Sequence, residues 1–303
     1  RGTWKICGCL FQGGVRMLGK LVKHEWKGTY RVGCLMLLVV AIVTFFGWLA
    51  FQAPMWQMLA GNNSSDRISA LDILSLVTIM LYVFMLVGVS YGMMIYLGIR
   101  FYKTMYTDEG YLTHTLPVTK GKLLASKILV SGIWYMLVLI GIMTSVFILV
   151  VSFVAALLDG YDIGEIFREM WDNWPELSAE IRQATGIDFT SYGILTVLSM
   201  LISPFCSMII LDGAISLGQL FTKHRAAMAI VFYIGITILT MVISSVTQSI
   251  LSDNVVYSSM SDSEIVNRYM NVTVIAGILQ NVIFAVILYA VSYLVVDKKL
   301  NME

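Results

Sequence analysis

ILVSGIWYMLVLIGIMTSVFILVVSFVAALL, Ile128–Leu158, contains 31 residues without a charged side chain or a histidine. A helix crossing a hydrocarbon layer about 30 Å thick needs about 20 predominantly apolar residues. This run exceeds one straight crossing, which predicts tilt, a kink or helical extension beyond the lipid. Five further runs reach crossing length: Val32–Gln52, Ile73–Ile99, Ser191–Phe221, Ala226–Gln248 and Val272–Val296. Pro204 inside Ser191–Phe221 is the expected kink. With 58% apolar residues and a mean hydropathy of +0.81, a soluble domain of this size is excluded. The fold class is therefore all-α and polytopic, one transmembrane domain over 17–303 with six membrane helices.

Orientation follows from Lys and Arg. Sixteen of the 20 lie on one side: seven up to Arg31, five in Arg100–Lys127, two in Lys223–Arg225 and two at Lys298–Lys299. Arg67, Arg168, Arg182 and Arg268 lie on the other. The positive-inside rule places both termini in the cytoplasm. The acidic residues agree, with 13 of 19 in the three external loops. Near-zero net charge conceals this asymmetry and gives no basis for nucleic-acid binding.

Arg1–Arg16 has no initiator Met, whereas Met17 opens an organised segment. Gly13–Gly14 stands just before it, where a ribosome-binding site would read as Gly-Gly. The expectation is that 1–16 is an upstream or non-native extension and that the chain proper starts at Met17. Gly14-Val-Arg-Met-Leu-Gly19-Lys20-Leu21 imitates a phosphate loop, but Leu21 lacks the magnesium-binding hydroxyl and no strand precedes it. No ATPase site, catalytic residue, metal site or bound cofactor is expected in this chain, which is not read as an enzyme. Cys7 and Cys9 have no partner pair, and Cys34 and Cys206 lie in apolar runs, so no disulfide is expected.

From Leu18 to Arg31, Leu18, Leu21, Val22, Glu25 or Trp26 and Thr29 recur at helical spacing opposite Lys20, Lys23, Lys27 and Arg31. The pattern predicts an N-terminal amphipathic helix in the cytoplasmic interface, with Trp26 at headgroup depth. Between the second and third runs, Asp108 and Glu109 precede Gly110, a helix break; Tyr111–Leu116 is a short apolar stretch ended by Pro117, and Thr119 caps the next helix. The external segment 159–190 reads as two short acidic helices around Pro175, with Trp171 and Trp174 at headgroup depth.

Within the membrane, Asp212 is the one carboxylate, and an intramembrane carboxylate is a functional-site candidate by default. Its bland counterpart is a hydrogen-bonded helix contact, for example with Ser216. Gln280 and Asn281 either bond across helices or line a substrate path.

The residues of 109–127 resemble the signature of ABC-2 type permeases: an acidic residue and Gly (Glu109, Gly110), a short apolar helix (Tyr111–Leu116), Pro117-Val118-Thr119, then Leu123-Leu124-Ala125-Ser126-Lys127. Met17–Thr29 is similar to the opening of small permeases of Gram-positive bacteria, MLGKLLKYEFKAT. Leu217–Arg225 is similar to their LGQLFxKHR-like segment. Asp212 departs from the uncharged residue expected there. The resemblance implies a multi-pass permease of the bacterial cytoplasmic membrane, paired with a second permease that is identical or paralogous. Each permease would dock a separate cytoplasmic ATPase that holds ATP and magnesium. It further implies that Asp108, Glu109, Gly110, Tyr111, Leu112, Leu116 and Pro117 form a coupling helix. A peptide or antimicrobial is the cargo class it suggests. An ion-coupled secondary transporter using Asp212 is the alternative, although Pro204 has no counterpart in a second half. An intramembrane protease would need a second carboxylate or a dyad at membrane depth.

Overall fold

The computed structural model describes residues 3–50, 70–107, 119–157, 163–221, 223–256 and 262–299. Their elements are helical throughout: α1 Thr3–Ala50, α2 Ala70–Tyr106, α3 Lys120–Leu157, α4 Ile163–Asp172, α5 Trp174–Thr185, α6 Phe189–Gly218, α7 Arg225–Val256 and α8 Asp262–Lys299. Six of them (α1, α2, α3, α6, α7, α8) contain segments long and apolar enough to cross a membrane. Apolar side chains cover their outer faces, as in Phe84, Met80 and Val286. That is the composition expected where lipid tails are the solvent and every backbone group must bond within its own helix.

The helices extend beyond the apolar runs. The candidate spans start at Gly19 in α1, end at Tyr106 in α2 and start at Lys120 in α3. Hydropathy marks where lipid contact ends; the helix persists for one or two further turns because its backbone bonds are satisfied locally. The interfacial helix expected over 18–31 is accordingly not a separate element but part of the continuous α1. Trp26, expected at headgroup depth, lays its ring against Trp134 of α3, 4.8 Å between centroids. The two short helices expected in 159–190 are α4 and α5. Gly186, at φ 75°, adopts the left-handed conformation that ends α5, and its N–H donates to the Arg182 carbonyl. Asp188 caps α6 by accepting from the Thr190 N–H. Pro204 is buried inside an α6 that continues on both sides of it.

The chain divides into two compact units. One comprises 1–29, 95–134 and 178–303. Within it α6, α7 and α8 pack together, most extensively α6 with α8. Lipid supplies no hydrophobic drive for helices to associate, so close approach through small residues and interhelical hydrogen bonds must do so. A Cβ at Gly213 would lie 2.7 Å from Leu288 Cβ, and one at Gly218 would lie 2.6 Å from the Ala229 main-chain nitrogen. The Asp188 N–H donates to Asn267 Oδ1 at 3.1 Å, joining the start of α6 to α8. The other unit comprises 30–94 and 135–177. There the Ser145 hydroxyl of α3 meets Tyr82 of α2 at 2.7 Å and Thr44 of α1 at 2.5 Å, a polar hub among apolar side chains.

Gly218 gives a direct test of this packing. Gly218→Ala drives a methyl into α7 backbone and should destabilise by about 1–3 kcal/mol. Gly88→Ala, where nothing beyond its own stretch of helix lies within 4 Å among the described residues, should cost nothing. Thermal unfolding of the purified protein in detergent compares the two.

Candidate functional site

Glu25 is the only acidic residue before the first loop, and the fold places it among cations of two other helices. Its Oε1 accepts from Lys127 Nζ of α3 at 2.5 Å, and its Oε2 accepts from Arg100 Nη2 of α2 at 3.1 Å. Arg100 Nη1 donates to the Gly28 carbonyl at 2.8 Å, and Lys127 donates to Thr104 Oγ1 at 2.7 Å. Lys127 is only 5% exposed. A cavity of about 20 Å³ lies in this cluster, lined among others by Thr29, Thr104 and Ser131. The space is that of one water molecule.

The local sequence explains why these groups meet. Thr29 turns its hydroxyl back onto the Glu25 carbonyl at 3.0 Å, which removes a competing donor and keeps Thr29 buried. Gly28 offers a face without a Cβ, and a methyl there would collide with the Arg100 guanidinium. The arginine can therefore reach both a carbonyl and a carboxylate of α1, using the fork geometry lysine lacks.

The same unit ties the ends of α2 and α3 to two more helices. Tyr106, last in α2, donates its hydroxyl to Ser216 Oγ of α6 at 2.8 Å, and Ser216 donates to the Asp212 carbonyl. Lys120, first in α3, reaches Asp297 of α8, Nζ to Oδ1 3.3 Å and to the main-chain oxygen 3.1 Å. This last pair is partly exposed and worth little by itself.

Of the residues singled out from the sequence, Asp108, Glu109, Gly110, Tyr111, Leu112, Leu116 and Pro117 lie outside the described residues. Asp212 is 2% exposed, and its Oδ2 has no hydrogen-bond partner among the described residues. Its neighbour Ser216 bonds the Asp212 main chain rather than the carboxylate. Gln280 and Asn281 separate: Gln280 donates to the Thr240 carbonyl of α7 at 2.8 Å, a helix-to-helix bond. Asn281 lines a cavity of about 250 Å³ with Ser199, Ser203 and Gly277 between α6 and α8. Glu25 and Arg100 were not site candidates from sequence, and Lys127 entered only as the last residue of the permease-like signature. The signals present were a lone Glu in a basic segment and two cations at the margins of apolar runs.

No family model, curated protein or solved structure matches the chain.

Arg100→Gln removes the guanidinium that joins Glu25 Oε2 to the Gly28 carbonyl, and Gly28→Val excludes it sterically. Each should cost about 1.5–3 kcal/mol, the range for hydrogen bonds to charged groups. The double variant should lose little more than either alone, because both break one contact. Thermal midpoints of the three proteins read this out.

Proposed function

We propose that this chain is the membrane-spanning permease subunit of an ABC exporter, driven by a separate ATPase and working beside a second permease, identical or paralogous. The observation that carries the reading is order. Three short motifs, over 17–29, 109–127 and 217–225, fall along a chain of six membrane-length helices in the family's sequence. In this reading both termini and 100–127 face the bacterial cytoplasm, and the ATPase alone holds ATP and magnesium.

The mechanism follows from what joins the helix ends. The segment 108–118 connects α2 to α3. Tyr111, Leu112 and Leu116 enter a cleft of the ATPase, and Asp108 and Glu109 are oriented by its basic side chains. When ATP draws the motor subunits together, the ends of α2 and α3 move with the docked segment. Three ties support transmission onward: Glu25 to α1, Tyr106–Ser216 to α6 and Lys120–Asp297 to α8. The motor's closure then favours one arrangement of the permease by a few kcal/mol, enough to shift a two-state population (about 5.5 kcal/mol moves it from 1:99 to 99:1). A peptide or other antimicrobial is the cargo class proposed.

One observation favours a second reading, an ion-coupled transporter: Asp212 is a buried carboxylate with an unpartnered oxygen. Vesicles separate the two. Uptake that proceeds without any nucleotide-hydrolysing partner and is lost in Asp212→Asn would establish the second and remove the first.

Leu116→Asp and Gly110→Pro should insert normally yet lose co-purification of the ATPase, or leave its hydrolysis running without transport. Full transport by either variant overturns the coupling assignment. Cysteines at Lys103→Cys and Glu176→Cys should react with an impermeant maleimide from the inside and the outside of the cell, respectively; the reverse pattern overturns the orientation.

A further inference from the structure

The Glu25 cluster does not balance. Arg100 and Lys127 bring two positive charges against one negative charge. Lys127 is buried and Arg100 only partly exposed, so a second carboxylate beside them would offset the surplus positive charge. Asp212 is the carboxylate in position to do so. Gly132 of α3 lies against the Phe205 ring of α6. Successive spans run in opposite directions, so a step back along α3 and a step forward along α6 lead toward the same end. Lys127 is five residues from that crossing, about 7.5 Å, and Asp212 is seven residues from it, about 10.5 Å. The two side chains thus sit at nearly the same height.

The third helix closes the arrangement. A Cβ at Gly98 of α2 would lie 3.0 Å from Leu211 Cδ2 and 3.3 Å from Ile215 Cδ1, so α2 packs on the stretch of α6 that carries Asp212. Thr104, which holds the Lys127 ammonium, stands further along this same α2, and Tyr106 beyond it bonds Ser216. Asp212 Oδ2 meanwhile has no hydrogen-bond partner among the described residues. An acceptor without a donor, level with an ammonium on a flexible four-carbon stem, is a vacant second position for that ammonium.

We infer that Lys127 has two carboxylate partners, Glu25 on α1 and Asp212 on α6, and that its ammonium exchanges between them. With Glu25 engaged, α3 is tied to α1; with Asp212 engaged, α3 is tied to α6. Neither position leaves Glu25 bare, since Arg100 remains on its other oxygen. Asp212 is therefore a positioning residue for movement of the α2 and α3 ends. What drives the exchange rests on the permease reading; the pairing of Lys127 with both carboxylates does not.

The test is a double-mutant cycle on the full chain in detergent, read as thermal midpoints, with the isosteric changes Glu25→Gln and Asp212→Asn. If Lys127 can move to Asp212, losing Glu25 is partly compensated in the native background and uncompensated beside Asp212→Asn. Glu25→Gln should then lower the midpoint by at least about 3 °C more in the Asp212→Asn chain than in the native one. Equal shifts in the two backgrounds overturn the inference. Lys127→Met supplies the second arm: without the ammonium, the effects of Glu25→Gln and Asp212→Asn should become additive, and persistent non-additivity would assign the coupling to something other than Lys127. Because the readout is stability, transport without an ATPase would remove the permease reading and leave this cycle untouched.

Discussion

The fold depends on one carboxylate shared between two cations where water is scarce. Withdrawing an ammonium or a guanidinium from water costs several kcal/mol, and that cost is recovered only where geometry and additional hydrogen bonds are good. Glu25 gives one oxygen to Lys127 and the other to Arg100, while the Gly28 carbonyl and Thr104 each accept one further bond. Three helices are thereby held in one register. Sliding any of them by a turn would separate the charges by about 5.4 Å and leave them buried without partners.

Around that cluster the chain uses glycine for approach rather than for bending. Gly28 admits a guanidinium, Gly98 and Gly132 admit α6 side chains, and Gly213 and Gly218 bring α8 and α7 against α6. Lipid is as apolar as leucine, so these contacts cannot be driven by expelling water. They rest on dispersion at close range and on the few interhelical bonds available. Glycines that face nothing, such as Gly88, Gly193 and Gly235, show that composition alone does not identify the ones that matter.

Polar groups inside the bundle fall into two kinds. Among the described residues, most threonines and serines return their hydroxyls to a carbonyl three or four residues back, as Thr78, Thr144 and Ser292 do. A few reach another helix: Ser145 to Tyr82 and Thr44, Tyr106 to Ser216, and Gln280 to the Thr240 carbonyl. Only this second kind can relay a displacement. In the unit comprising 1–29, 95–134 and 178–303, Tyr106–Ser216 stands at the end of α2, where the proposed motor would act, while Gln280 joins α8 to α7.

Hydropathy and run length determined the six long apolar helices, because a bilayer accepts little else and the apolar residue count per crossing is set by its thickness; α4 and α5 were legible from acidic amphipathic patterning around Pro175. Asp212 was also visible, since a carboxylate in such a run is conspicuous by itself. What the sequence could not disclose is which charges find each other. Glu25, Arg100 and Lys127 are separated by 75 and 102 residues along the chain, and at the margins of apolar runs each reads as an ordinary boundary residue. The continuity of α1 through Leu18–Arg31, the stacking of Trp26 on Trp134 and the division of labour between Gln280 and Asn281 were decided in the same way, by packing between distant helices. Pairing is a property of three-dimensional distance, and periodicity along one helix carries no information about its neighbour.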